Sequence, residues 1–183
     1  ILIKFYLVLN FELYYSLCYN MINEQQPIKH YTSISTHEIG EIKQDTSSGA
    51  KAFFSKKNFA VGDIIAVFEI KEILADPTYL TIQLSEKKHI HITPEFLQYT
   101  NHSCNPNVFF DIDSMQLICV KDIAAGDEFC FFYPSAEWDM AQAFECNCGS
   151  SNCLKIIKGA KYIDRNILSK YQLTSFIQSK INV

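Results

Sequence analysis

The segment "CNCGSSNC", residues 146–153, constrains this chain more than any other. Cys146, Cys148 and Cys153 form a C-x-C-x4-C arrangement, with Gly149 and two serines supplying the flexibility to fold the backbone around an ion. A closed structural zinc site wants four ligands, commonly thiolates, in a tetrahedron. The cluster offers three, so one must come from elsewhere. His37, His89 and His91 could serve, but Cys104 is the best candidate, because it stands in the turn-rich loop "NHSCNPN" at 101–107. Such a site would clamp that loop to the tail. Cys119 and Cys130 sit inside apolar strand patterns and read as small core residues.

The chain has seven cysteines, an odd and unevenly placed set. That pattern fits metal binding in a reducing compartment, cytoplasm or nucleus, rather than a disulfide scaffold. A net charge of −4 argues against nucleic-acid binding through phosphate neutralisation and leaves a basic partner as the better match.

Short apolar runs punctuated by turns dominate from residue 49 onward. "IIAVFEIKEIL" reads as a strand, followed by "YLTIQL", "KKHIHI", "VFFDI", "QLICVKDI" and "FCFFY", with turns at "ADP", "DSM" and "AAGDE". In "TPEFLQYT", Thr93 at an N-cap and Pro94 at the first helical position predict a short helix. The fold class is mostly β. Residues 21–48 are polar and read as an irregular lead-in, while apolar residues recurring from Ile167 to Ile177 predict a packed helical tail over 161–183.

The leader "ILIKFYLVLNFELYYSLCYN" at 1–20 fits neither role it suggests. As a signal peptide it has only Lys4 as its basic region, and as a membrane helix it carries Glu12 at its centre. We read it as sequence upstream of a start at Met21, with no firm membrane association.

In order, "NHSCNPN", "GDEFCFFY" and "CNCGSSNC" resemble the SET-domain protein lysine methyltransferases: the asparagine–histidine motif, the strand ending in tyrosine and the post-SET zinc cluster. The resemblance covers roughly residues 49–160. It implies a SET domain at 49–135, made of small curved β-sheets with knot-like threading and short helices, and a zinc-binding post-SET segment at 136–160. It also implies S-adenosylmethionine as cofactor, with Lys51, Ala52, Phe53, Asn101, His102 and Phe144 contacting it. Tyr133 becomes the catalytic tyrosine, Phe110 and Phe131 the walls of the substrate channel, and Cys104, Cys146, Cys148 and Cys153 the ligands of a structural zinc. The implied partner is a lysine-bearing protein or peptide, a histone tail among the candidates, methylated by a monomer to the di- or trimethyl state because Phe131 leaves room.

One feature departs from the family pattern. In "GAKAFF", Ala52 stands where the second glycine of the cofactor motif belongs, and its Cβ tolerates positive φ poorly. That substitution supports an alternative, a catalytically inactive, zinc-stabilised module that binds a lysine-bearing partner. Glu86, Glu95, Asp111, Asp113, Glu137 and Asp139 could line an acidic peptide groove, and Trp138 could flank it or anchor the linker.

Overall fold

The computed structural model of the protein describes residues 30–182. The leader at 1–20 and the start at Met21 lie outside them. Among the described residues the structure is mostly β: thirteen short strands in five small sheets, with brief helical turns.

The first sheet is antiparallel in the order β1 (Tyr31–Thr36), β2 (Gly40–Asp45), β3 (Lys51–Ser55). It replaces the irregular lead-in expected for this stretch. Polar strand residues such as Ser33 and Lys43 stay partly or fully exposed, while Gly40 and Ile42 turn inward, so the polar composition concealed a hairpin. Gly40 is required there: a Cβ would lie 2.4 Å from the carbonyl oxygen of Phe54.

The apolar run "IIAVFEIKEIL" is two strands rather than one. Phe68, 1% exposed, separates β4 (Ile64–Val67) from β5 (Glu69–Leu74). β4 joins β10 (Gln116–Cys119) and β9 (Val108–Asp111), whereas β5 joins β7 (Lys88–Thr93) and β6 (Ile82–Ser85). The predicted helix after Thr93 is a 3-10 turn, Glu95–Tyr99, capped by Pro94 without a side-chain bond. Thr93 pairs with Glu69 as the last residue of β7, so it is held in the ladder and cannot cap.

One core, built around Phe53, Phe68, Phe110, Leu117 and Phe129, lies among the first three sheets. A second forms where Phe132, Ala160, Leu168, Leu173 and Ile177 meet, with Trp138 packed against it. The tail supplies this second core through two short helices, Arg165–Leu168 and Ser175–Ile181, capped by the side chains of Asp164 and Thr174. Trp138 is thus a packed anchor. No helix among the described residues is long and apolar enough to cross a membrane.

Candidate functional site

Two distant segments meet as a parallel pair, β8 (Asn101–His102) beside β11 (Cys130–Phe131), with Cys130 opposite Asn101 and Phe131 opposite His102. Asn107 extends this contact with its side chain, donating to Glu128 O at 2.9 Å and accepting from Cys130 N–H at 2.8 Å. The loop's asparagines therefore satisfy backbone groups where so short a ladder ends. Asn101 Nδ2 donates to Lys51 O at 3.0 Å and to the Glu128 carboxylate at 2.9 Å, which ties β3 to the same point.

His102 connects two parts of the site. The Tyr133 N–H donates to its Nδ1 at 3.2 Å, which leaves the proton of the neutral ring on Nε2, 3.4 Å from Cys104 Sγ. Burial holds the ring neutral by pushing its pKa down to about 4. The same imidazole thus positions the Tyr133 backbone and supports a thiol of the cysteine cluster.

The ligand atoms of Cys104, Cys146, Cys148 and Cys153 all lie within 4.8 Å of one another, with Cys104 Sγ 4.0 Å from Cys146 Sγ. Thiolates about 2.3 Å from a tetrahedral zinc are separated by about 3.8 Å, so the four fit that ion with small adjustment. The histidines weighed as fourth ligand are not part of this cluster. Backbone amides already point at the sulfurs: Cys104 N–H at Cys148, Leu154 N–H at Cys104 and Lys155 N–H at Cys153. Burial pushes the Cys104 thiol up to about 11 and raises Cys146 further. Burial acts the same way on Cys148, but bonds from Ser150 and the Cys104 amide outweigh it and bring that thiol down to about 6. A bound cation would deprotonate the whole set.

A cavity of about 350 Å³ gathers Phe110, Phe131, Tyr133 and Phe144, together with Thr78–Ile82, Thr100, Glu137 and Met140. The Phe131 ring lies 4.8 Å from Phe110 and 4.6 Å from Tyr133, so the three aromatics form one continuous wall. The Tyr133 hydroxyl points to Thr100 O at 3.5 Å, and burial pushes its pKa up, so it stays a neutral donor.

The expected cofactor residues are less uniform. Phe144 presents a half-buried ring that meets His102 at 5.6 Å and Tyr133 at 5.9 Å. Lys51 is exposed, its Nζ 5.3 Å from the Tyr99 ring centroid. The Phe53 side chain is fully buried against Phe96 and Phe129. Ala52 is also buried, and positive φ outside glycine is confined, among the described residues, to Met115 and Lys155. Alanine at 52 is therefore unstrained, although its methyl group packs within the protein. An aromatic face at Phe144 and the Asn101 amide beside the Lys51 carbonyl fit a nucleoside carrying a sulfonium, which needs stacking, polar contacts and carbonyl oxygens.

The acidic groove does not form as one feature. Glu95 pairs with Lys71, Glu86 with Lys180 and Asp139 with Lys161, while Asp111 and Asp113 hold local turns and Ser175. Glu137 alone of these acids lines the cavity, and its environment is unlike that of a surface carboxylate: it is 8% exposed and accepts from Gln83 N–H at 2.9 Å. Gln83 and Thr100 were not legible as site residues. Tyr171 was not either; it stacks on Phe132 at 3.8 Å and donates to Cys104 O.

Comparisons with known proteins place the chain among SET-domain proteins. The family model described as SET domain matches residues 16–134. The chain is 40% identical over 103 residues to the methyltransferase flvH of Aspergillus flavus, covering 55% of this chain and 57% of that protein. It is 34% identical over 77 residues to a histone-lysine N-methyltransferase, H3 lysine-36 specific, of Candida albicans, covering 39% of this chain and 9% of that protein. The chain thus spans little more than half of the first relative and a small part of the second. A solved chain of Plasmodium falciparum named as a histone methyltransferase aligns at TM-score 0.38 and 21% identity, over 54% of this chain and 95% of that one.

Proposed function

Because the chain belongs to the SET-domain family, we propose that it is an S-adenosylmethionine-dependent protein lysine N-methyltransferase with a structural zinc. The observation that carries this reading is the aromatic cavity: Tyr133, Phe131 and Phe110 form one wall directly beside the parallel Asn101–His102 pair. An apolar channel of this kind disfavours a charged lysine and so promotes the neutral amine that attack requires. Lysine otherwise titrates near 10.4 and would arrive protonated.

Tyr133 orients the amine through its hydroxyl, and the Thr100 carbonyl next to it stabilises positive charge developing at the transferred methyl group. The bound cofactor supplies that methyl group on a sulfonium. Asn101, the Lys51 carbonyl and the Phe144 face are the groups that would hold it. The rest of the rate acceleration comes from alignment.

Phenylalanine at 131 places no second hydroxyl on the ring beside Tyr133, which favours di- or trimethylation. Phe131→Tyr should shift products toward monomethyl-lysine, read by mass spectrometry. The names of two relatives make a histone tail the first substrate to try.

Calorimetric titration of S-adenosylmethionine into zinc-replete protein tests the reading. Micromolar binding that Asn101→Ala abolishes supports it. No binding by folded protein overturns it and leaves a zinc-clamped binding module, the function that Ala52 would then explain.

A further inference from the structure

Among the described residues, Glu137 is the one carboxylate that lines the aromatic cavity. One oxygen accepts from Gln83 N–H at 2.9 Å. Among the described residues, no cation pairs with Glu137 and no hydrogen bond reaches its second oxygen. A neutral glutamine would accept from Gln83 equally well, without the cost of burying an ionisable group that has no partner. Beside it, Thr100 is 2% exposed and its hydroxyl oxygen also lacks a partner. Glu137 and Thr100, each with an unmet polar atom, thus both line the cavity that Phe110, Phe131 and Tyr133 wall.

The segment bearing Glu137 is firmly held. Gln83 Oε1 accepts from Trp138 N–H at 2.9 Å, and Glu137 O accepts from Ala160 N–H at 2.8 Å. The carboxylate is therefore fixed in the cavity wall.

We propose that Glu137 selects the substrate's ammonium group and takes its proton: the N–H bond breaks, an O–H bond forms on the free carboxylate oxygen, and the electron pair stays on nitrogen. That pair then forms the bond to the methyl carbon as the methyl–sulfur bond breaks, its electrons passing to sulfur and neutralising the sulfonium. This inference rests on the lysine methyltransferase reading. A carboxylate–ammonium pair and a carboxyl–amine pair contain the same protons, and a cavity of low dielectric favours the uncharged pair, which is the reactive one. Burial pushes the Glu137 pKa up to about 8, so the carboxylate that accepts the proton predominates above that pH. Gln83 bonds it, and the Tyr133 phenol and Thr100 line the same cavity; Lys180, 5.7 Å from the Trp138 ring centroid and paired with Glu86, does not line it.

The test titrates n-butylamine, which mimics the lysine side chain, and isosteric n-butanol into zinc-replete full-chain protein by NMR, for wild type and Glu137→Gln. Calorimetry with S-adenosylmethionine runs in parallel. Wild type should prefer the amine at least tenfold, and Glu137→Gln should lose that preference with n-butanol affinity and cofactor binding unchanged. In the amine complex at about pH 9, where Glu137 of the free protein is a carboxylate and the amine in solution is still an ammonium, the 13C carboxyl resonance of Glu137, assigned by its loss in Glu137→Gln, should be that of a protonated acid. Equal amine preference in both proteins, or none in wild type, overturns the selection; a carboxylate resonance in the complex overturns the proton transfer. If cofactor binds normally in either case, the methyltransferase reading survives, whereas wild type that binds no cofactor removes both.

Discussion

The hydroxyl of Tyr171 donates to the main-chain carbonyl of Cys104 at 2.8 Å, and Asn152 Nδ2 donates to the same oxygen at 2.7 Å. The tail therefore holds the "NHSC" loop by hydrogen bonds as well as through the cysteine cluster. Tyr171→Phe keeps the stack on Phe132 and removes one of these bonds. Chemical denaturation should show a loss of about 1 kcal/mol, and Tyr171→Ala should cost more because the stack is lost too.

Tyr133→Phe removes a hydroxyl without opening the core. Melting temperature and S-adenosylmethionine affinity should be unchanged, while methyl transfer falls by about a hundredfold, the scale of a misaligned reacting group. A parallel loss of cofactor binding would count against this assignment.

Removing the metal should loosen the cysteine cluster, because structural zinc contributes folding free energy directly. One zinc per chain is expected by elemental analysis, with loss on Cys146→Ser. If about 3 kcal/mol of the binding energy reaches the whole domain, a chelator lowers Tm by ~6–12 °C. Hydrogen exchange should rise first around Cys104 and residues 146–153.

The Glu137 carboxyl gives a pH signature. Its folded-state pKa lies near 8 against an ordinary 4.5, so between these values the folded chain keeps a proton that the unfolded chain has released. Its contribution to stability therefore declines as pH rises through that window. Glu137→Gln cannot ionise and escapes the decline. Denaturation midpoints should show the variant gaining on wild type steadily from pH 5 to pH 8.

Gly159 has φ +117°, and a Cβ there would lie 2.5 Å from Trp138 O. Gly159→Ala should destabilise by at least about 2 kcal/mol, combining backbone strain with a clash against main chain. Because Ala160 N–H bonds Glu137 O, amine preference should weaken in this variant as well.

What the sequence revealed depended on the range over which its signals act. The three clustered cysteines share one short segment, so their spacing was readable, and Cys104 was recoverable because a thiol in a polar loop is unusual. Strands such as Val108–Asp111 and Gln116–Cys119 were bounded by a plain turn and emerged where expected. Tyr31–Asp45 did not, because a hairpin with a largely solvated face has little apolar alternation to betray it. Glu137 was the hardest to place. Its burial is set by Gln83, 54 residues earlier, and locally "EWD" has the composition of a surface turn.

The two-residue parallel pairing between Asn101–His102 and Cys130–Phe131 governs where this chain can change in length. Phe131 faces the cavity and Phe132 the tail, stacked on Tyr171, because neighbours on an extended segment point to opposite sides. One residue inserted between Cys130 and Tyr133 would exchange these directions, sending the channel wall into the tail core. The turn at 46–50, between β2 and β3, is exposed throughout and carries no such burden. Insertions and deletions should therefore accumulate at that turn, while the interval from Cys130 to Tyr133 keeps a fixed length even where its residues vary.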